Sequence, residues 1–520
     1  MAFQKQIENR PVCCGREMGL GRGKAESGRA RFTCSQCGRS TTGSGDAELG
    51  YDAAEAKAYA KTFRKQKRQR VIVTSAVNNC APNWPAWRSL LALAEDVGAQ
   101  VMVIPIHYKN ISLYTAGQQY KKWWHEAFKP HLMGSDVALG ANVRVRGDWK
   151  VQATALDPLR GKHSVTGTTW SIFGHPQIGM EPVATPATKR PGRMYSTGAM
   201  TVKSYSDTDK GKKAAHHHST GALLIEIDGD RAFAWNLNAD SVGRIYWLSN
   251  CYYEDQILRD RRILSLTMGD EHVKWMKPGV KRATFTAEDS IVNTLQPEYL
   301  VRHDVLDWFA GSHHHDKKWA TEYAKHVRGH NDGRKELNQA VDHINATTPD
   351  NCCSLIVSSN HHDHLSKWLD RVDSKRDHVN GALADELRMM CRQWVDENPS
   401  GTPDMFRVYC EQKLTCKFDF LDPSVPFILA GVSMENHGHV GVSGARGSAK
   451  SFAKSAYKAN LGHAHSARIC RGVYQSGKST GILEYEQGLS ESSNTHIIQY
   501  ENGKRTLVDI HGQQWRGRDA

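Results

Sequence analysis

Five short segments, all in the second half of the chain, contain residue types that bind divalent metal ions. They occur in the order Asp270-Glu271-His272, His303-Asp304-x-x-Asp307, Asn360-His361-His362, His437-Gly438 and Gly462-His463-Ala464-His465. Two metal ions about 3.5–4 Å apart need oxygen ligands and neutral imidazoles, with one carboxylate shared between them, so that a hydroxide can attack phosphorus in line. The five segments together therefore predict the active site of a phosphoesterase.

Seven residues are the candidate metal ligands: Asp270, His272, Asp304, Asn360, His437, His463 and His465. Asp304 is the candidate bridging carboxylate. The first segment and one histidine of the last segment are expected to complete the first ion. Asn360, His437 and the other late histidine are expected to complete the second. Because alternate residues of an extended segment point to the same side, His463 and His465 can serve the two ions.

Other residues are candidates for catalysis and for binding the substrate. His361 follows a candidate ligand and is placed to act as a general acid or to stabilise transition-state charge, and Asp307 is the second catalytic candidate. His362 and His314 are candidate substrate contacts at the cleft. The glycine-rich stretch 441–448 exposes backbone amides that can hold a phosphate, and Arg446 adds positive charge there.

The local sequence indicates how the segments are positioned. Residues 263–268 and 355–358 are short apolar runs that predict buried strands ending just before Asp270 and Asn360, and residues 427–430 precede the segment with His437. In open α/β sheets, ligands bind at the carboxyl ends of strands. We therefore expect the candidate ligands to follow strand ends.

At these segments the chain resembles the calcineurin-like metallophosphoesterases, whose pattern is D-x-H, G-D-x-x-D, G-N-H-D/E, H and G-H-x-H in that order. The resemblance implies metal roles for the seven candidate ligands and a catalytic role for His361. His303 and Ser359 replace glycines of the pattern, and His362 replaces an acidic residue. None of these departures removes a candidate ligand. His439 competes with His437 for one position.

A closer resemblance extends from about residue 71 to about residue 515. The stretches that carry it are residues 73–79, 104–110, 172–176, 196–202 and 437–448. They are similar to segments of tailed-phage metallophosphoesterases related to the pre-early DNase of T5-like phages. The resemblance implies a manganese-type DNase that acts on host DNA in the cytoplasm of the infected cell.

Composition limits the number of domains and the kinds of partner to be expected. The chain has 520 residues, enough for two or three domains, and its net charge of +13 favours a polyanionic partner, although charge alone also serves solubility. No apolar stretch approaches the ~20 residues of a membrane span, and the N-terminus lacks the pattern of a signal peptide. We therefore expect a cytoplasmic protein with reduced cysteines that binds DNA, does not bind membranes, and is compatible with a homo-oligomer.

The first four cysteines predict a small zinc ribbon. Cys34 and Cys37 form a C-x-x-C-G turn, whereas Cys13 and Cys14 are adjacent and form an irregular first knuckle. A structural zinc ion would fold a segment too small for its own core.

The predicted organisation is an α/β protein with a zinc-ribbon-like module (1–45), a basic helical linker (46–70), an α/β plus β accessory region (71–254) and a catalytic domain (255–515). The accessory region begins with a strand-helix-strand unit and contains a hairpin that turns at Asp228-Gly229. The catalytic domain is expected to be a metallophosphoesterase β-sandwich flanked by helices.

The predicted function is metal-dependent hydrolysis of DNA with two ions, of which manganese fits best and Mg, Fe or Zn also suit the ligands. Two alternatives stay open at this point. One is a phosphodiesterase or phosphatase for a small or protein substrate, and the other is a non-catalytic DNA-binding regulator that uses the zinc ribbon. The sequence does not distinguish endonuclease from exonuclease action, or DNA from RNA.

Overall fold

The computed structural model describes residues 58–63, 66–113, 122–484 and 486–517, together with the backbone of five short strands before residue 43. Those five strands form a two-stranded and a three-stranded antiparallel sheet within the predicted zinc-ribbon module. Cys14, Cys34 and Cys37 lie outside the described residues, and only the backbone of Cys13 is described. The zinc ribbon therefore stays a prediction.

The strands are, in chain order, β1 (Val12–Cys13), β2 (Arg16–Glu17), β3 (Gly19–Lys24), β4 (Ala30–Thr33), β5 (Ser40–Thr42), β6 (Arg68–Val77), β7 (Gln100–Ile106), β8 (Asp136–Gly140), β9 (Val143–Arg146), β10 (Trp170–Phe173), β11 (His175–Val183), β12 (Thr185–Pro186), β13 (Gly192–Gly198), β14 (Gly221–Asp228), β15 (Arg231–Asn238), β16 (Ile245–Trp247), β17 (Asn250–Tyr253), β18 (Gln256–Leu258), β19 (Ser265–Thr267), β20 (Tyr299–Arg302), β21 (Cys353–Val357), β22 (Phe418–Leu421), β23 (Ile428–Leu429), β24 (Val432–Ser433), β25 (Lys458–Leu461), β26 (Arg468–Cys470), β27 (Val473–Gln475), β28 (Leu489–Ser490), β29 (Thr495–Gln499) and β30 (Arg505–Asp509).

The α-helices are α1 (Trp84–Asp96), α2 (His163–Thr166), α3 (Asp209–His217), α4 (Pro278–Lys281), α5 (Ile291–Leu295), α6 (Trp319–Arg328), α7 (Gly333–Thr347), α8 (Asn360–Arg371), α9 (Gly381–Glu397), α10 (Met405–Lys413) and α11 (Ala449–Phe452). A π-helical turn, Arg282–Thr286, follows α4 directly. In the described part of the chain, no helix is long and apolar enough to cross a membrane.

A six-stranded mixed sheet has the strand order β22-β21-β20-β19-β29-β30. Strands β19 to β22 are parallel, and β29 and β30 are antiparallel to their neighbours. Strands covered on both faces consist of continuous runs of buried residues, as in Ser265–Thr267 and Thr495–Gln499. The parallel arrangement places the carboxyl ends of β19, β20 and β21 at one edge.

A ten-stranded mixed sheet has the order β23-β24-β25-β27-β26-β11-β13-β10-β9-β8. It combines strands from both sides of the predicted boundary at residue 254, which falls between β17 and β18. The contact between the two groups of strands is the antiparallel pair β11 and β26, with Met180 opposite Ile469. The predicted accessory and catalytic regions therefore share one sheet.

The two large sheets pack against each other through shared apolar clusters. Val301 and Leu355 of the six-stranded sheet pack with Val432, and Ile497 belongs to the same buried cluster as Met180. Helices α7 to α10 cover the outer side of the six-stranded sheet with a separate core around Trp308 and Trp368. The result is an α/β protein with two layers of sheet and flanking helices.

The predicted strand-helix-strand unit is confirmed as β6, α1 and β7, because β6 and β7 are parallel neighbours. The predicted hairpin is confirmed as β14 and β15, which pair from Gly221 with Asn238 to Asp228 with Arg231. Gly229 lies in the turn with a φ of 66°, a conformation that glycine adopts without strain. Together these strands form a four-stranded sheet.

Candidate metal centre

The five metal-type segments each follow a strand, as the sequence predicted. Asp270, Asp304 and Asn360 come just after β19, β20 and β21 in the six-stranded sheet, whereas His437 follows β24 and the last segment follows β25 in the ten-stranded sheet. Strands β24 and β25 are parallel neighbours. Strand ends from both sheets thus supply one buried cluster of side chains.

The first group in this cluster consists of Asp270, His272, Asp304 and His465, which are all buried and offer ligand atoms within 4.8 Å of one another. His465 Nε2 lies 3.1 Å from Asp270 Oδ2 and 3.2 Å from His272 Nε2. His272 Nε2 lies 3.8 Å from Asp304 Oδ2. Two carboxylates and two imidazoles therefore surround a single point.

The second group consists of Asp304, His437 and His463, with ligand atoms also within 4.8 Å of one another. His437 Nε2 lies 3.1 Å from Asp304 Oδ2. Asp304 belongs to both groups, and the late histidines divide between them, His465 with the first group and His463 with the second. Asp304 is thus the one residue common to these two groups, and its role as a bridging carboxylate stays a prediction.

Asn360 is the first residue of α8. Its side-chain Oδ1 is buried and has no hydrogen-bond partner among the described residues, and the same holds for Asp304 Oδ1. Buried polar atoms in proteins are nearly always satisfied, so these two unpartnered oxygen atoms fit the donor set of divalent cations.

The backbone is unusual at several of these residues. His272, Asp304, His463 and His465 have φ values of 35°, 45°, 68° and 55°, in the left-handed region that residues with a Cβ seldom adopt. Such conformations cost of order 1–3 kcal/mol each and persist where the surroundings enforce them. These four backbone conformations therefore lower the stability of the fold and orient the four side chains.

Gly462 allows the close approach between the last segment and the rest of the cluster. A Cβ at this position would collide with Asp270 Oδ1 and would lie 2.8 Å from the ring of His303. The backbone N–H of His463 donates a hydrogen bond of 3.0 Å to Asp270 Oδ1. The glycine thus lets a backbone amide and a carboxylate meet at the centre.

The charges of the cluster suit cations. Burial alone would raise the pKa of the Asp304 carboxyl, but the nearby histidines, His437 first among them, hold that pKa well below its usual range. Burial would likewise raise the pKa of the Asp307 carboxyl. Hydrogen bonds from His272 and His361 outweigh burial and keep this pKa well below its usual range. Both side chains are therefore carboxylates.

His361 lies at the edge of the cluster, where 17% of its side chain is exposed. Its Nδ1 lies 3.2 Å from Asp307 Oδ1 and 3.1 Å from the Asp307 carbonyl oxygen, so that Asp307 occupies Nδ1 and not Nε2. Burial lowers the pKa of His361, but the carboxylates of Asp304 and Asp307 outweigh it and raise that pKa to about 10.

Asp307 connects two histidines. Its Oδ1 lies 2.9 Å from His272 Nδ1, and its Oδ2 accepts a hydrogen bond of 2.9 Å from Trp275 Nε1. A carboxylate behind a metal-binding imidazole fixes the orientation and tautomer of the ring. Asp307 thus orients both His272 and His361, and we describe it as a positioning residue.

Sequence reasoning missed Glu486, which has the corresponding position behind His465. Glu486 Oε1 lies 3.4 Å from His465 Nδ1 and accepts a hydrogen bond of 2.7 Å from Ser492 Oγ. Its other oxygen pairs with the buried Lys478. No motif surrounds Glu486 in the sequence, so its contact with His465 is visible only in the folded structure.

The remaining predicted residues lie at different distances from this cluster. His439 belongs to neither group, and its ring lies 6.0 Å from that of His463. His362 is completely buried against Phe406, so the structure does not bring it to a surface that a substrate reaches. Arg446 is exposed in the loop after His439. His314 is also exposed, but it is grouped with other histidines.

Comparison with known proteins gives one clear relationship. No profile of a known protein family matches the chain, and no solved structure matches it significantly. Protein A1 of Escherichia phage T5 is 32% identical over 464 residues, which cover 85% of this chain and 82% of the relative. Identity at this level over most of both chains establishes common descent, and the chain therefore belongs to the family of the phage T5 protein A1.

Proposed function

We propose that the protein is a metallophosphoesterase that binds two divalent ions and hydrolyses DNA. The observation that carries the proposal is that two groups of buried ligands share one carboxylate, Asp304. A shared carboxylate holds two ions at the separation that suits both the attacking and the leaving oxygen of a phosphodiester. The packing of two mixed sheets, with helices over the outer side of the six-stranded one, supports the metallophosphoesterase fold.

The residues of the chain divide the work. Asp270, His272 and His465 hold the first ion together with Asp304, and Asn360, His437 and His463 complete the second. Bound there, divalent ions supply Lewis acidity and a nucleophile at neutral pH. Manganese suits this mixture of oxygen and imidazole ligands, and Mg, Fe and Zn are alternatives.

His361 acts on the phosphoryl group. Because Asp307 holds Nδ1, Nε2 is the ring nitrogen left for the substrate. The carboxylates of Asp304 and Asp307 raise the pKa of the ring and so favour its protonated form. A proton at Nε2 can be donated to the leaving oxygen or can stabilise the charge that develops on the phosphate.

Two features favour DNA as the substrate. The chain has a net charge of +13, and cationic side chains that neutralise phosphates release counterions. The relative is a protein of Escherichia phage T5, which fits a role in the cytoplasm of an infected cell. Exposed Arg446 lies nine residues after His437, where it would contact the DNA backbone beside the centre.

The test is hydrolysis of plasmid and linear duplex DNA with Mn²⁺, Mg²⁺ or EDTA. Wild type is compared with Asp304→Asn, which removes the shared carboxylate charge, and with His361→Gln. His439→Gln is the matched control, because His439 lies beside His437 but belongs to neither ligand group. We expect metal-dependent cutting by the wild type and the control, and a loss of at least 100-fold in the other two variants, the scale of acid–base catalysis.

Other outcomes separate the alternatives. If neither DNA nor RNA is cut but an aryl phosphodiester is hydrolysed in a manner that requires Asp304, the metal centre stands and the substrate is small. If no phosphoester is hydrolysed with any metal, the enzymatic proposal is wrong and a DNA-binding role of the N-terminal region takes its place.

A further inference from the structure

Three more histidines converge beside His361, outside the two groups that share Asp304. His313 and His314 lie in the loop after β20, and His364 lies one turn after His361 on α8. One ring nitrogen from each of the three lies within 4.8 Å of the others. The ring centroids of His361 and His364 are 4.9 Å apart. The three-histidine cluster therefore adjoins the candidate metal centre without sharing a residue with it.

Two ring nitrogens of this cluster have no hydrogen-bond partner among the described residues. The Nδ1 atoms of His313 and His364 are buried and have no hydrogen bond within the described part of the chain, and His364 is only 6% exposed. The third histidine of the run, His315, packs its ring against Phe309 at 5.1 Å. Two adjacent histidines thus face His364, while the next one turns away.

The charge of the histidine rings indicates whether the cluster binds a cation or an anion. The ring centroids of His313 and His314 are 4.0 Å apart, and two protonated rings at that separation would repel each other. Neutral rings have lone pairs for a cation. Of the nearby groups that can be cationic, His361 is paired with Asp307 at 3.2 Å, Arg371 is paired with Asp316 at 2.9 Å, and Lys367 is exposed to solvent.

We propose that His313, His314 and His364 form a third metal site, which takes a zinc-type ion. An all-imidazole set prefers Zn²⁺ or Co²⁺, in contrast to the carboxylate-rich centre next to it. Three protein ligands leave one position of a tetrahedral ion open, as in catalytic zinc sites. Because His314 is exposed, the open position faces solvent, where water or an oxygen of a phosphate can bind.

The experiment measures metal content in the full-length protein and does not depend on activity. Chelator-stripped wild type, His314→Ala and His364→Gln are dialysed against the same Zn²⁺ solution, and zinc per chain is measured by mass spectrometry. His326→Gln is the control, because His326 is exposed on the following helix α6 and belongs to no group of ligands. We expect both cluster variants to hold one ion less per chain than the wild type and the control.

A Co²⁺ titration identifies the ligands. Cobalt on imidazoles gives visible absorption without the thiolate charge-transfer band of a cysteine site, and at saturation this absorption should be weaker in both cluster variants than in the wild type, by the contribution of one ion. Since His314 is exposed, its truncation does not disturb packing and separates loss of a ligand from loss of the fold. Equal zinc content in all four proteins would overturn the proposal. Phosphate binding by metal-free wild type that both variants lose, with zinc unchanged, would also overturn it.

Discussion

At the scale of single residues, the centre depends on side chains that never contact a substrate. Asp307 contacts the rings of His272 and His361 with the same oxygen, and Glu486 contacts His465 from behind. Carboxylates in this position raise the basicity of an imidazole and fix its orientation. The basicity and orientation of the candidate metal ligands and of the candidate acid His361 therefore depend on a small number of charged groups around them.

Asp307→Asn tests this dependence. The amide keeps the shape of the side chain but removes the charge that orients both rings, so we expect metal affinity and hydrolysis each to fall by about 10–100-fold. Mn²⁺ affinity is measured by calorimetry and kcat on DNA at saturating metal. Asp373→Asn, in the loop after α8 and half-exposed, is the control. Unchanged affinity and kcat in Asp307→Asn would show that the geometry does not need this carboxylate.

The order of motifs predicted the residues that the structure brings together, and for three of the five motifs a local apolar run in the sequence also indicated the preceding strand. Asp270 and Asn360 illustrate this, each a few residues after a buried run. Glu486 and Trp275 were not predicted, since their roles depend on contacts across the fold. His362 looked equivalent to its neighbour in sequence, but the start of α8 directs it into the core against Phe406.

At the scale of elements, short strands deliver the ligands and tight backbone turns aim them. Ser359 caps α8 by accepting a hydrogen bond of 3.3 Å from the His362 amide, which fixes the start of the helix at Asn360. The segment after β25 has left-handed residues at His463 and His465. The sequence predicted an extended segment there. The turns were not predicted, because a histidine in the sequence is not a sufficient signal for a positive φ.

Gly462→Ala tests the approach of this segment to the six-stranded sheet. The added methyl would press on the Asp270 carboxylate and the His303 ring, so we expect a loss of about 1–3 kcal/mol in the free energy of unfolding, the usual scale for overpacking. Bound metal should decrease as well. Gly481→Ala is the control, because a Cβ there meets only Lys277 at 3.6 Å.

The measurements are urea unfolding followed by circular dichroism and metal content after dialysis against Mn²⁺. A change in the midpoint for Gly462→Ala alone supports the close approach. If Gly462→Ala and Gly481→Ala unfold at the same midpoint and hold the same metal, the segment has room for a side chain and does not press on the centre.

At the scale of the whole molecule, the centre needs both large sheets, and the ten-stranded sheet needs both halves of the chain. Met180 of β11 pairs with Ile469 of β26, and buried Arg193 of β13 binds Asp509 of β30 through two hydrogen bonds of 2.5 and 2.6 Å. Periodicity along the sequence predicted an α/β fold and many of the strands. Periodicity carries no signal for partners this far apart in sequence, such as Arg193 and Asp509 with a separation of 316 residues, so the shared sheet was not predicted.

A fragment of residues 255–517 should therefore fail to fold independently. It would leave β26 without β11 and would bury the Asp509 carboxylate without Arg193, and an unpaired buried charge costs about 3–5 kcal/mol. A fragment of residues 66–517, which contains both sheets, is the control. Thermal unfolding followed by near-ultraviolet circular dichroism should show a cooperative transition for the longer fragment and none for the shorter one. A cooperative transition in both fragments would mean that residues 255–517 form an autonomous domain. The strands of residues 136–198 would then not be required for the rest of the ten-stranded sheet to fold.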